Sequence, residues 1–168
     1  MSTSFSEPAC QDITSAKLFG LCDDETRPQE RAYLDEQNGG TWIAVVHNDE
    51  AFEVTFTAID NCIETRRADG KMDSRCDGML TYNTSVVFVE LKERGGWGKN
   101  WVKDGDAQLR TSIGYFEANT DTGHLTEKRA LLANSEHPRF RDSQIGRMER
   151  FREETKYVLR IANRIHLT

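Results

Sequence analysis

At 168 residues, 37% hydrophobic and 30% charged with three prolines, the chain has the composition of one globular domain large enough to bury a core. No apolar run approaches the roughly 18 residues that a membrane span needs, and MSTSFSEPACQDITSAK lacks the basic-then-apolar order of a signal peptide. A cytoplasmic setting without membrane contact is therefore expected, with its four cysteines (Cys10, Cys22, Cys62, Cys76) reduced and outside any zinc-binding spacing.

The net charge of −6 is unevenly spread: residues 1–64 carry 3 Lys/Arg against 13 Asp/Glu, whereas residues 128–168 carry 10 against 5. An acidic chain is a poor nucleic-acid binder as a whole, but a locally basic face can still contact phosphates.

In chain order, the first 25 residues are weakly patterned. Pro28 then suits the first turn of a short helix over 28–37, ended by Asn38-Gly39-Gly40 and carrying Glu30, Tyr33 and Leu34 on one face. TWIAVVHN (41–48) and FEVTFTAIDNCI (52–63) read as strands, and Asp69-Gly70 marks a turn. RCDGMLTY (75–82), the turn Asn83-Thr84 and SVVFVELKE (85–93) read as a hairpin. A helix follows over 105–118, with Leu109, Ile113 and Phe116 at helical spacing, then a strand over 126–135. A helix over 142–154 and a strand over 155–167 close the chain. No repeat or linker interrupts residues 1–168, so one domain of α/β (α+β) class is expected.

The hairpin poses a chemical problem. If Tyr82 faces Ser85, then Asp77 faces Glu90, and like charges directly opposed in a sheet destabilise it. Side-chain alternation puts Asp77, Met79, Val86, Phe88, Glu90 and Lys92 on one face. Two readings remain open. A covered cleft could hold a divalent cation between the carboxylates, with Lys92 beside it. An exposed face could instead leave Lys92 and Arg75 as neutralising surface partners, worth roughly 0–1 kcal/mol each.

Asp77 in CDGML, followed by ELK (90–92) after the apolar run VVFV, resembles the PD-(D/E)XK nuclease superfamily, with cysteine in place of the family's proline. Gln108 in AQLRTSI is similar to a glutamine that many members carry on the helix after the third strand. The resemblance implies a restriction-endonuclease-like core over about 28–135, a mixed β-sheet flanked by helices, with a helix–strand addition over about 140–168. It also implies Mg²⁺- or Mn²⁺-dependent hydrolysis of phosphodiesters in nucleic acid, DNA ahead of RNA, by an endonuclease or exonuclease. Asp77, Glu90 and the Leu91 backbone carbonyl would hold the metal, Lys92 would orient water, and Gln108 would support the shell. Glu30, or alternatively Glu36, would be the further acid that the family often draws from its first helix. The alternative is the same fold without catalysis, binding nucleic acid or a protein partner, and a homodimer is compatible with either.

Lys99, Lys103 and Arg110 are candidate phosphate contacts, with solvated surface charges as the competing role. Trp97 and Trp101 are candidates for base stacking or for packing. Asp60 reads as structural. His47, His124, His137 and His166 show no ligand spacing and carry no assigned chemistry.

Overall fold

The computed structural model describes residues 3–93, 100–135 and 144–168. The first strands are β1 (Gln11–Thr14), β2 (Leu18–Cys22), β3 (Tyr33–Asp35), β4 (Ala44–His47) and β5 (Val54–Ala58). The hairpin β6 (Gly78–Tyr82) and β7 (Ser85–Lys92) leads to helix α1 (Asn100–Asn119) and strand β8 (Glu127–Asn134). Helix α2 (Ile145–Thr155) and strands β9 (Val158–Ile161) and β10 (Arg164–His166) complete the described elements. The class is mixed α/β, built on two sheets, one of six strands ordered β1-β5-β6-β7-β8-β9 and one of four ordered β10-β4-β2-β3.

The hairpin has the expected register. Tyr82 pairs with Ser85 and Gly78 with Val89, with Asn83 at φ +49° in the left-handed conformation that asparagine tolerates. The pairs β1–β5, β5–β6 and β6–β7 are antiparallel, whereas β8 is parallel to β7 and β9 parallel to β8. A parallel neighbour requires a crossover, and α1 supplies it between β7 and β8.

The six-stranded sheet is covered on both faces. On one, Met79, Val86 and Phe88 pack with Trp101, Leu109 and Phe116 of α1 and Phe151 of α2. On the other, Leu80, Val87, Val89 and Leu91 pack with Phe19, Leu21 and Val46 of the smaller sheet. All eight residues of β7 are therefore buried, which explains its nearly uninterrupted apolar sequence. Two glycines allow the close approaches. A Cβ at Gly78 would lie 2.5 Å from the Phe56 ring, and one at Gly105 would lie 2.5 Å from Leu132, where α1 rests on β8.

Four expectations are corrected. No helix forms over 28–37; Tyr33–Asp35 instead pairs with β2, and the Leu34 amide donates to Asp12 Oδ2 at 3.0 Å. Tertiary partners thus replace the internal bonds of a helix too short to be stable alone. The first 25 residues supply β1 and β2, each integral to a sheet. The closing segment is two strands rather than one, because β9 joins the larger sheet and β10 the smaller. Finally, Cys10 and Cys62 form a disulfide, while Cys22 and Cys76 are free and buried. The 52-residue separation hides this pair in sequence; antiparallel pairing of Gln11 with Thr57 brings the two cysteines together. Among the described residues, no helix is long and apolar enough to cross a membrane.

Candidate active site

The site forms where β6 begins and β7 ends. Asp77 immediately precedes β6 and is only 6% exposed; Glu90 and Lys92 on β7 are 2% and 5% exposed. Strand pairing brings the backbones together, and the side chains interlock. The Asp77 amide donates to Glu90 Oε1 at 3.1 Å, and the Leu91 amide donates to Asp77 Oδ2 at 2.7 Å. Lys92 Nζ lies 2.8 Å from Glu90 Oε2 and donates to Gln108 Oε1 at 2.9 Å. Gln108 in turn donates through Nε2 to the Arg75 carbonyl at 3.3 Å, joining α1 to the segment that leads into Asp77.

Asp77, Glu90, Lys92 and Gln108 therefore form one connected group. The covered-cleft reading of the hairpin agrees with this burial, whereas the exposed-face reading does not. Arg75 is occupied elsewhere: Nη2 meets Asp60 Oδ1 at 3.2 Å, and Nη1 donates to the Ile63 carbonyl at 2.8 Å.

Burial raises the Asp77 carboxyl well above the ordinary range, and the neighbouring Glu90 charge raises it further. Burial also raises Glu90, opposed mainly by Lys92. Two carboxyl groups in this relation resist simultaneous ionisation unless positive charge is supplied.

Sequence reasoning missed Asp23. It follows β2 directly, so the smaller sheet delivers it to the mouth of the site, where it hydrogen-bonds Asp77. Burial, then the Asp77 charge and that bond, push its carboxyl up to about 7. The available signal was the apolar run LFGLC ending abruptly in Asp23-Asp24. Asp60, read as structural, also borders the site; its charge bears on both Asp23 and Asp77.

Other candidates lie apart from this group. Glu30 sits in an exposed loop 3.5 Å from Arg27, and the Glu36 carboxylate accepts a hydrogen bond from the Thr14 hydroxyl. With no helix over 28–37, neither is presented as expected. Trp101 is buried in the core beneath α1, so packing replaces the base-stacking role. Arg110 is held by Asp106 and Glu154, with its guanidinium 5.0 Å from the Phe151 ring centroid, which removes it as a free phosphate contact. Lys103 is exposed on the first turn of α1. Lys99 and Trp97 lie outside the described residues.

A divalent cation can be tested against the donors present. Asp23, Asp77 and Glu90 offer hard carboxylate oxygens, and burial pushes all three toward the protonated form despite the neighbouring Lys92. Their chemistry fits Mg²⁺ or Mn²⁺. Among the described residues, however, no three His, Cys, Asp or Glu side chains are already arranged as a cation cage. Comparison with protein-family models, curated proteins and solved structures finds no match for this chain.

Proposed function

We propose that the chain is a Mg²⁺- or Mn²⁺-dependent nuclease of the PD-(D/E)XK type, hydrolysing phosphodiester bonds of nucleic acid, with DNA as the preferred substrate. The observation that carries this reading is the burial of Asp77, Glu90 and Lys92 in one hydrogen-bonded group with Gln108. The restriction-endonuclease-like architecture belongs to the same proposal. Its support is an antiparallel β5-β6-β7 meander followed by α1 and a parallel β8.

Asp77 and Glu90 would hold the ion with the Leu91 carbonyl, and Asp23 would close the acidic side. A bound divalent ion supplies Lewis-acid polarisation of the phosphate and makes water a stronger nucleophile at neutral pH. The chain's own contribution is positioning. Gln108 and Glu90 restrain Lys92 Nζ, which orients the attacking water and stabilises negative charge developing on the phosphoryl oxygens. Water adds to phosphorus, the P–O ester bond breaks, and the displaced oxygen leaves with a proton. Burial keeps the lysine in one geometry and strengthens each charge interaction.

One observation favours a second reading, a binding module without catalysis: the described acids are not pre-arranged as a cage. Manganese titration separates the two, since the nuclease reading requires Mn²⁺ binding that Asp77→Ala abolishes. A cytoplasmic site of action is part of the proposal, and the Cys10–Cys62 disulfide weighs against it because cytosolic thiols are generally kept reduced. The direct test is incubation with plasmid, linear duplex, single-stranded DNA and RNA in Mg²⁺, Mn²⁺ or chelator. Metal-dependent cleavage of one or more substrates is expected; no cleavage of any overturns the nuclease reading.

A further inference from the structure

Away from the acidic group, a cavity of about 330 Å³ opens beside the β9–β10 connection, lined by Arg129, Arg160, Arg164, His166, Ala162 and Ile165. It lies where β9, at the edge of the six-stranded sheet, meets β10, at the edge of the smaller one. No Asp or Glu side chain is among its lining residues. Elsewhere arginines find carboxylates, as Arg31 does with Asp12 at 2.8 Å and Arg147 with Asp106 at 3.0 Å. Here the Arg164 side chain meets His47 Nε2, at 3.0 Å, and among the described residues the Arg160 side chain has no hydrogen bond or ion pair.

Arg129 is anchored through neutral acceptors, the His166 carbonyl at 3.1 Å and the Tyr82 hydroxyl at 2.6 Å, while its buried Nε has no partner. The His166 ring stacks on His47 with centroids 4.4 Å apart. Among the described residues these three guanidinium groups form no ion pair, so they repel one another. An oxyanion relieves that repulsion, and guanidinium forks match phosphate geometry in particular.

We propose that this cavity is a phosphate-binding site, occupied by a phosphodiester of a nucleic-acid strand or by a free phosphate-bearing small molecule. It is distinct from the Asp77–Glu90 group and lies toward the other end of β7 and β8. Arg129 pairs with Val87, five residues before Lys92 on β7, and bonds Tyr82 at the hairpin turn, so about 17 Å of strand separates Lys92 from the Arg129 side of the cavity. A nucleic-acid strand reaching both places would use the basic end of the chain to offset its acidic beginning. That occupant rests on the nuclease reading, but phosphate binding itself does not.

Binding is therefore measured in chelator, where metal-dependent cleavage plays no part. The probes are a labelled single strand and a labelled duplex, followed by anisotropy across salt concentrations, and inorganic pyrophosphate, followed by calorimetry. They are applied to the wild-type chain and to Arg160→Gln/Arg164→Gln, whose altered side chains are exposed and whose fold is checked by circular dichroism. If a strand is the occupant, the double variant weakens DNA binding about tenfold or more. Its log–log salt slope also falls by about 1.4–1.8, the equivalent of two phosphate contacts. If a small molecule is the occupant, pyrophosphate binding is lost while DNA binding is unchanged. DNA and pyrophosphate affinities both within twofold of wild type, or no binding of either by the wild-type chain, overturn the site. Should the double variant not fold, the His166 and His47 ring resonances of wild type replace it: shifts on pyrophosphate or oligonucleotide addition support the site, and unmoved resonances with both overturn it.

Discussion

Asp77 and Glu90 are bound to each other's strands: the Asp77 amide donates to Glu90 Oε1 at 3.1 Å, and the Asp77 carboxylate accepts the amide of Leu91, next to Glu90, at 2.7 Å. The register thus places two acids together and also locks their orientation. These bonds hold the carboxylates in fixed positions while burial and mutual repulsion oppose their ionisation.

The first consequence concerns pH. Asp23, Asp77 and Glu90 all have folded-state pKa values above their unfolded ones, Asp23 at about 7. The folded chain therefore binds more protons than the unfolded chain between the ordinary carboxylate range and about pH 7, so stability falls as pH rises through that window. Thermal unfolding in chelator should show a lower midpoint at pH 8 than at pH 5.5, with the decline reduced in Asp23→Asn. Added Mn²⁺ should raise the midpoint more at pH 8 than at pH 5.5, because proton and cation compete. An equal manganese effect at both pH values would contradict this linkage.

Relief of the repulsion should separate stability from activity. Asp77→Asn keeps an oxygen to accept the Leu91 amide but removes one charge. It is expected to leave the metal-free chain equal to or about 1 kcal/mol more stable than wild type at pH 8, while abolishing metal-dependent cleavage. Urea denaturation and a cleavage assay on the same preparation check both halves.

Lys92 presents the opposite case. Its ammonium is the positive partner of buried Glu90, so Lys92→Ala leaves a carboxylate without compensation and should destabilise the metal-free fold by about 3 kcal/mol. Gln108→Ala removes only a neutral restraint on that ammonium. It should cost about 1 kcal/mol in stability and lower the cleavage rate by about one order of magnitude through misplacement of Nζ.

The disulfide also has a measurable consequence. Opening a loop of 52 residues is worth about 4 kcal/mol in the chain-entropy account, an upper figure for engineered and natural bridges alike. Reduction or Cys62→Ser should lower the unfolding free energy by about 2–4 kcal/mol. In the oxidised chain, thiol titration after denaturation should return two thiols, Cys22 and Cys76.

Much of the site was legible because it lies within regular local structure. The apolar alternation around Asn83-Thr84 fixes which residues of β6 and β7 oppose one another, and the four- and three-residue spacing of Leu109, Ile113 and Phe116 places Gln108 on a helix beside them. What was hidden depends on distant contacts. Tyr33 and Leu34 have no local pattern that distinguishes a short helix from a three-residue strand, and pairing with β2 decides the matter. Asp23 joins the site only because a second sheet packs on the first, and Cys10 meets Cys62 only through the β1–β5 pairing. The basic cavity is likewise spread over β8, β9 and β10, so Arg129, Arg160 and Arg164 read individually as surface charges.

The most direct measurement is the rate of DNA cleavage in Mn²⁺ by wild type, Glu90→Gln and Lys92→Ala, each first shown to be folded under the assay conditions. Cleavage by wild type, its loss in chelator, and a fall of at least about two orders of magnitude in both variants is the predicted result. Cleavage at the wild-type rate by either folded variant would contradict the assignment of this carboxylate–lysine group as the catalytic centre.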